Sequence, residues 1–428
     1  MNNINQKDKW SFVCHLNYGD TGTVAIISKD VNPATRNDIE SGKESGLDSA
    51  HRPIFLGINN EGQTILLDPK NKQINLQPSF PADAIAAYAY PDPGSNRIWF
   101  MNDGDKKTGN DPLNCGDKGS SVTVVENSDG NAPPTLLKTI CVGRGHHVTT
   151  FTAPTSSMPN IPHRAFVSNL MDGTISVIGN DPADPDKFLT VIDTINLCEP
   201  GKEDSGEVSV PNNAFPHGMG FSPATGKLYN LNNGYATIAV IDAVSNEIED
   251  TFELKSSSNL LLSHDGRYLI GKGVDRKSDP DHVIGKLSVI DVQSKKICEV
   301  INLPDIYPST YRFNADGAKL YVTSAATGKD KQKANIKINT LLIFDTSRLP
   351  VIKLLKEVQV GSADCGRRPI AFVGGNGKTD VVFIPNPTDG TVTILDGDKE
   401  IVLETASVGK GPVNEFSFSF WDGGISGC

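Results

Sequence analysis

Long apolar runs are missing from this chain. No window approaches the roughly 18 consecutive apolar residues of a membrane-spanning helix, so no membrane span is expected. Basic charge is short relative to acid: Lys plus Arg number 40 against 51 for Asp plus Glu, a formal charge of −11. That balance argues against a nucleic-acid partner, which needs a basic face. The opening run Met1 to Asp8 is polar and charged, so no secretory signal is expected. The seven cysteines form no C-x-x-C or C-x-x-C-H pair, which disfavours zinc ribbons, thioredoxin-type redox pairs and c-type haem attachment. No G-x-S-x-G, P-loop or H-E-x-x-H occurs, and neither haem nor nucleotide is expected as a cofactor. No useful stretch has a 3.6-residue apolar period, so little helix is expected.

What is present is a repeat of short strands. One unit recurs: an apolar strand, a turn of the type Ser-Pro-x-x-Gly or Asp-Gly, a second strand, a small-residue loop, a third strand ending in Asp, and a fourth. It is complete from His217 to Leu254, with the turn Ser222-Pro223-Ala224-Thr225-Gly226 and the strand Thr237 to Asp242. It returns with His264-Asp265-Gly266 before Arg267 to Ile270, with Ala315-Asp316-Gly317 before Lys319 to Ser324, and with Asn376-Gly377 before Asp380 to Ile384. Period-2 strands with turns every 8 to 12 residues or so mean an all-β fold. A four-stranded repeat of about 40 to 50 residues means propeller blades.

Tyr321-Val322-Thr323-Ser324 resembles the signature of the YVTN-type β-propeller repeat, and the likeness runs over most of the chain. The expectation is a single seven-bladed β-propeller domain spanning 1–428. Six blades are continuous, at about 82–142, 145–200, 214–256, 257–304, 307–361 and 366–410. The seventh is assembled from 411–428 with 10–80: Glu415 to Trp421 reads as its inner strand, followed by Trp10 to Cys14 and Thr23 to Ser28. Such closure removes exposed sheet edges. A Cys14–Cys428 disulfide would staple it across a very long loop; Cys115 and Cys141, flanking strands of one blade, are the weaker candidate pair. The cysteines leave two compartments open. Disulfides in a mature periplasmic or extracellular chain are one reading, and reduced thiols in the cytoplasm are the alternative.

The long insertions at 103–119, 199–213, 272–284 and 326–338 fall between strands in positions that share one face of a propeller, the side where functional loops crowd. Four histidines sit where propeller sites are built. His146 and His147 open one inner strand and His217 opens the next, at the mouth of the central channel; His282 lies in a loop on the same face. Three converging imidazoles can hold copper or zinc. Glu203, Asp204 or Glu207 could add a carboxylate. His163 should fall at the opposite face, and His264 reads as a turn residue. Asp103, Asp105 and Asp111, with Asn110, are a candidate calcium loop, with a solvated acidic loop as the plainer reading. Asp181, Asp184 and Asp186 carry the same two readings. Lys329 to Lys337 reads as a solvated basic segment.

His146-His147-Val148-Thr149, and Val210 to Gly218 followed by Ser222-Pro223 and Asn233-Gly234, resemble the propeller domain of nitrous oxide reductase. In that family the matching histidines help hold a copper–sulfide cluster, so the resemblance implies copper at His146, His147 and His217. The chain departs from it at Thr149, where the family has a third histidine, at Leu260-Leu261-Leu262 and at Ser309-Thr310, and no cupredoxin domain is expected beside the ring. The full cluster cannot be built here.

Three functions follow as alternatives. The first is a histidine-ligated, copper-like redox or electron-transfer protein. The second is a non-catalytic binding or scaffold propeller holding a small molecule or a protein at its decorated face. The third is a lactonase-like hydrolase. Oligomeric state is not legible. Circular dichroism of the purified protein is expected to show β structure with negligible helix; a predominantly helical spectrum would overturn the fold.

Overall fold

The computed structural model describes residues 11–18, 21–28, 54–58, 63–68, 73–78, 86–93, 95–102, 115, 119–126, 135–203, 212–327, 330–364, 368–373, 381–407, 415–420 and 425–426. Side chains are described between Tyr90 and Ser407, with Pro91, His146, His147 and Val373 excepted.

The chain opens with β1 (Ser11–Tyr18) and β2 (Thr21–Ser28), followed by a three-stranded meander of β3 (Ile54–Ile58), β4 (Gln63–Asp68) and β5 (Gln73–Pro78). Six four-stranded antiparallel meanders come next. The first is β6 (Ala86–Pro91), β7 (Arg97–Asn102), β8 (Ser120–Glu126) and β9 (Thr135–Val142). The second is β10 (His146–Thr152), β11 (Arg164–Asn169), β12 (Thr174–Gly179) and β13 (Val191–Asn196). The third is β14 (Pro216–Ser222), β15 (Lys227–Asn232), β16 (Thr237–Asp242) and β17 (Ile248–Glu253). The fourth is β18 (Asn259–Leu262), β19 (Tyr268–Asp275), β20 (Ile284–Asp291) and β21 (Lys296–Pro304). The fifth is β22 (Pro308–Phe313), β23 (Lys319–Ser324), β24 (Thr340–Arg348) and β25 (Val351–Gln359), with one short helix, α1 (Asp330–Asn335), between β23 and β24. The sixth is β26 (Ala371–Val373), β27 (Val381–Asn386), β28 (Thr391–Asp396) and β29 (Ile401–Ser407). The chain finishes with β30 (Glu415–Phe420) and β31 (Ile425–Ser426).

The two ends of the chain meet. β1 pairs antiparallel with β30, Phe12 opposite Phe420 and Asn17 opposite Glu415, and the sheet order is β2-β1-β30-β31. The C-terminal and N-terminal strands thus share one sheet, as read from the sequence, but β31 rather than β30 stands at its C-terminal edge. β3, β4 and β5, grouped above with that closing blade, instead pair with one another as a separate sheet. β3 pairs antiparallel with β4, and β4 with β5, so pairing within this segment is between sequence neighbours. Cys14's side chain and Cys428 lie outside the described residues. The bridge that is described joins Cys115 to Cys141, Cα atoms 5.2 Å apart. It ties the long insertion before β8 to the outer strand β9, the pair ranked second from sequence.

The core lies between sheets. Trp99, Val122 and Val124 pack on Ala165, Val167 and Ile178 of the next sheet. Phe166 and Val177 meet Met219, Leu228 and Ile241. Ile270 and Leu287 meet Tyr311, Leu320 and Phe344. Each middle strand is thus covered on both faces: β7, β11, β23 and β27 are almost wholly buried along their lengths. Strands covered twice read as continuous apolar runs instead of alternating ones. The fourth strands form the rim and stay largely exposed.

Double burial leaves polar side chains on the middle strands no access to water. The last residue of the second strand solves this repeatedly. Asn102 Nδ2 donates to Ser121 Oγ (3.1 Å) and Thr123 Oγ1 (2.8 Å). Asn169 Nδ2 donates to Thr174 Oγ1 (3.0 Å) and Ser176 Oγ (2.9 Å), and Asn386 Nδ2 to Thr391 Oγ1 (2.9 Å) and Thr393 Oγ1 (2.8 Å). One amide thereby clamps alternate hydroxyls of the third strand. Glycine gives the amide room: a Cβ on Gly143 or Gly361 would lie 2.6 or 2.5 Å from the side-chain amide carbon of Asn169 or Asn386.

The Asp that ends the third strand caps the rim hairpin. Asp242 Oδ1 accepts from the backbone N–H of Val244 (2.9 Å) and Ser245 (2.7 Å), while Lys227 Nζ donates to its Oδ2 (2.7 Å). Burial would push this carboxyl up, but the lysine and the two amides outweigh it and hold the pKa at about 2. Asp291 and Asp396 accept N–H groups of their own rim turns, Asp345 accepts that of Ser347 within β24, and all three are likewise lowered.

Two outcomes are expected. Asn169→Ala leaves two buried hydroxyls without their donor and should cost about 2–3 kcal/mol, read as a lower urea midpoint; an unchanged midpoint would show that the clamp contributes nothing. Asp242→Asn should cost about 1–2 kcal/mol at pH 7, the shift being discounted for partial exposure. A depressed carboxylate pKa adds stability above the unfolded value near 4 and loses it as pH falls toward 2. The gap between variant and parent should therefore close across that window.

Candidate functional site

The inner strands start irregularly. β10, β14 and β22 each carry a bulge in the first turn of their pairing: the register slips between His146 and Thr149, between Pro216 and Met219, and between Pro308 and Tyr311. The bulges fall at the same point, because His146 lies opposite Asn169, Pro216 opposite Asn232 and Pro308 opposite Ser324. One residue further, His147, His217 and Ser309 therefore occupy one ring position in the second, third and fifth of these sheets. Bulges re-aim side chains and recur beside sites.

β10 and β14 are held side by side, with Thr150 Oγ1 donating to the Met219 carbonyl (3.0 Å). At the next junction Gly218 has φ +141°, and a Cβ there would come within 2.6 Å of the Leu260 nitrogen. Only glycine allows this approach of β14 to β18. His217 is half-buried at the start of β14. His146 and His147 are placed by their backbone on β10; their side chains lie outside the described residues. Among the described residues, which exclude those two imidazoles, no three His, Cys, Asp or Glu side chains form a metal-holding group.

His282 stands in the loop after β19. Its Nδ1 is 2.7 Å from Asp305 Oδ1, and that hydrogen bond raises its pKa, with Asp279 and Asp281 adding to the effect. This histidine is oriented by an acidic cluster beside α1. Gln332 Nε2 donates to the carbonyls of Arg276 (3.0 Å) and Asp279 (2.9 Å), and Asn335 Nδ2 to that of Asp281 (2.9 Å). Lys333 pairs with Asp364 at 3.1 Å. The 272–284 and 326–338 insertions thus meet on one face, as their places in the repeat require. The basic segment finds acidic partners in Asp281, Asp364 and Glu357.

Glu203 accepts from the Gly201 N–H (2.9 Å) at an exposed position, while Asp204, Glu207, Asp103, Asp105, Asn110 and Asp111 lie outside the described residues. Asp181 caps the Ala183 N–H (2.9 Å) and Asp184 pairs with Lys187 (3.2 Å), which makes both turn residues. His163 precedes β11, at the far end of that sheet from His146. His264 lies in the β18–β19 turn, its ring edge-on to Phe313 at 5.6 Å.

Arg368 escaped the sequence reading. It sits just before β26, wholly buried, and its backbone N–H donates to Ser309 Oγ (3.1 Å). Its guanidinium donates to the carbonyls of Pro385, Ser324, Ile338 and Gly361 and to Asn386 Oδ1, at 2.5–3.3 Å. It anchors the mouth of two sheets. The Arg-Arg-Pro run before a short strand was its only sequence signal.

No protein-family model matches the chain, and no curated protein does. Solved structures do. Hydrazine synthase of Kuenenia stuttgartiensis shares 16% identity, with 80% of this chain and 94% of that one covered at a TM-score of 0.53. A periplasmic gluconolactonase of Pseudomonas aeruginosa shares 15%, covering 86% and 99% at 0.51. A candidate 6-phosphogluconolactonase of Bacteroides fragilis shares 12%, covering 97% and 99% at 0.52. At such identities the likeness is one of fold, and with the ring of meanders above it identifies the chain as a β-propeller.

Proposed function

We propose that this propeller is a metal-dependent protein working at its channel mouth, with His146, His147 and His217 as the imidazole set. The observation that carries the reading is the register: His147 and His217 hold the same ring position on adjacent inner strands, with His146 one residue before. This donor set fits copper best, because imidazole nitrogens favour Cu²⁺ over lighter divalent ions, and zinc next. Copper at this place would supply one-electron chemistry. The chain's own part is to hold the imidazoles on rigid strands, with Gly218 drawing β14 against its neighbour. His282, fixed by Asp305, belongs to the surrounding loop face and would orient a substrate or a fourth donor. The Cys115–Cys141 bridge supports an oxidising compartment such as the periplasm.

The second reading is lactone hydrolysis at the same mouth, supported by the periplasmic gluconolactonase among the structural neighbours.

Purified protein is expected to take up one equivalent of copper, and uptake should weaken as pH falls toward about 6, where imidazole protonates. His217→Ala should lower uptake sharply, and His264→Ala should not. No stoichiometric uptake of Cu²⁺ or Zn²⁺, or equal behaviour of the two variants, would leave a binding propeller. Turnover of gluconolactone that is lost in His217→Ala would select the second reading.

A further inference from the structure

Along the inner strands, alternate residues go to different places. Met219, Leu260 and Tyr311 are buried between sheets. The residues that follow them, Gly220, Leu261 and Arg312, and Thr150 of β10, are partly exposed on the innermost strands and turn toward the next sheet, where Thr150 and Arg312 each reach a backbone carbonyl. The pairings match them as one ring: Thr150 opposite Phe166, Gly220 opposite Tyr229, Leu261 opposite Ile270 and Arg312 opposite Tyr321. Three members are small or apolar. The fourth carries a full positive charge.

That charge is poorly provided for. Arg312 Nη1 donates to the Ile370 carbonyl at 3.0 Å, the equivalent of the Thr150–Met219 bond. A guanidinium has five N–H donors, and among the described residues no ion pair engages Arg312. Burial pushes its pKa below the usual guanidinium range, and no neighbouring carboxylate offsets the effect. Other enclosed arginines are treated differently. Arg97 pairs with Asp92 at 2.9 Å, Arg144 with Asp172 at 2.6 Å, and Arg368 has five oxygen acceptors. A hydroxyl does the structural work of this position in β10, so the carbonyl bond does not require an arginine.

We infer that Arg312 anchors an anion site at the inner edge of the seam between the fifth and sixth sheets, taking a small oxyanion, carboxylate or phosphate, on its uncommitted N–H donors. Guanidinium presents parallel donors that match both groups in a bidentate fashion. The site lies three residues along β22 from Ser309, roughly 10 Å below the mouth at the usual strand rise. An anionic group held there would leave the rest of a small molecule at the level of His217. The anion site stands without the metal reading, and its test uses metal-free protein, so the two can fail separately.

The test is calorimetric titration of chelator-treated full-length protein with inorganic phosphate and, separately, with acetate, at constant ionic strength in chloride. Saturable binding of one anion per chain is expected. Arg312→Gln should weaken it at least about tenfold and Arg312→Lys by less, since the charge stays but the paired donors go. In anion-free buffer the urea midpoint of Arg312→Gln should be unchanged or raised, because an unpaired enclosed charge is removed. Saturation by only one of the two anions still supports the site and tells phosphate from carboxylate. Equal affinity in parent and Arg312→Gln, or no saturation of the parent, would overturn it. So would a lowered midpoint in Arg312→Gln that Arg312→Lys restores without anion binding, which would make Arg312 a structural cation.

Discussion

The middle strands of each sheet are buried on both faces, so the polar groups they carry depend on partners inside the protein. This constraint shapes the rest of the molecule. A buried hydroxyl or amide left unpaired costs about as much as a well-packed side chain contributes. The repeated Asn clamp meets the cost within one sheet: Asn102, Asn169 and Asn386 each satisfy two hydroxyls of the next strand. Arg368 meets it between two sheets, drawing carbonyls from β23, from the segment before β24 and from β27 onto one guanidinium.

Clamping of the middle strands leaves variation to the two edges of each sheet. At the rim, Asp242, Asp291 and Asp396 fold the last hairpin by accepting backbone N–H groups. At the inner edge the opening bulges recur in register, so equivalent side chains of successive sheets meet at one level. A ring of equivalent positions on a rigid frame is a place where chemistry can change residue by residue while the fold does not. His147, His217 and Ser309 occupy one such level. Thr150, Gly220, Leu261 and Arg312 occupy another.

The two levels differ in character. The mouth level is rich in imidazole and lies beside loops that meet around α1. The deeper level is small and apolar apart from one guanidinium, which makes it a cation inside a protein of net charge −11.

Much of this was legible in the chain. The strand repeat and the Asp that ends the third strand in three of the six meanders are local patterns written in residue order, and period-2 strands can be read without knowing their neighbours. The equivalence of His146-His147 and Pro216-His217 was legible too, because both sit at a fixed distance from a strand start. The rest was decided only in three dimensions. Which cysteines bridge depends on Cα separation, and Cys115 met Cys141 because an insertion returns to β8. The separate sheet of β3 to β5 depends on which strands pair. Asn169 and Arg368 look like ordinary polar residues in the sequence; burial on both faces turns them into clamps. Arg312 differs from other surface-like arginines only because its partners are absent among the described residues, and a missing partner leaves no trace in residue order.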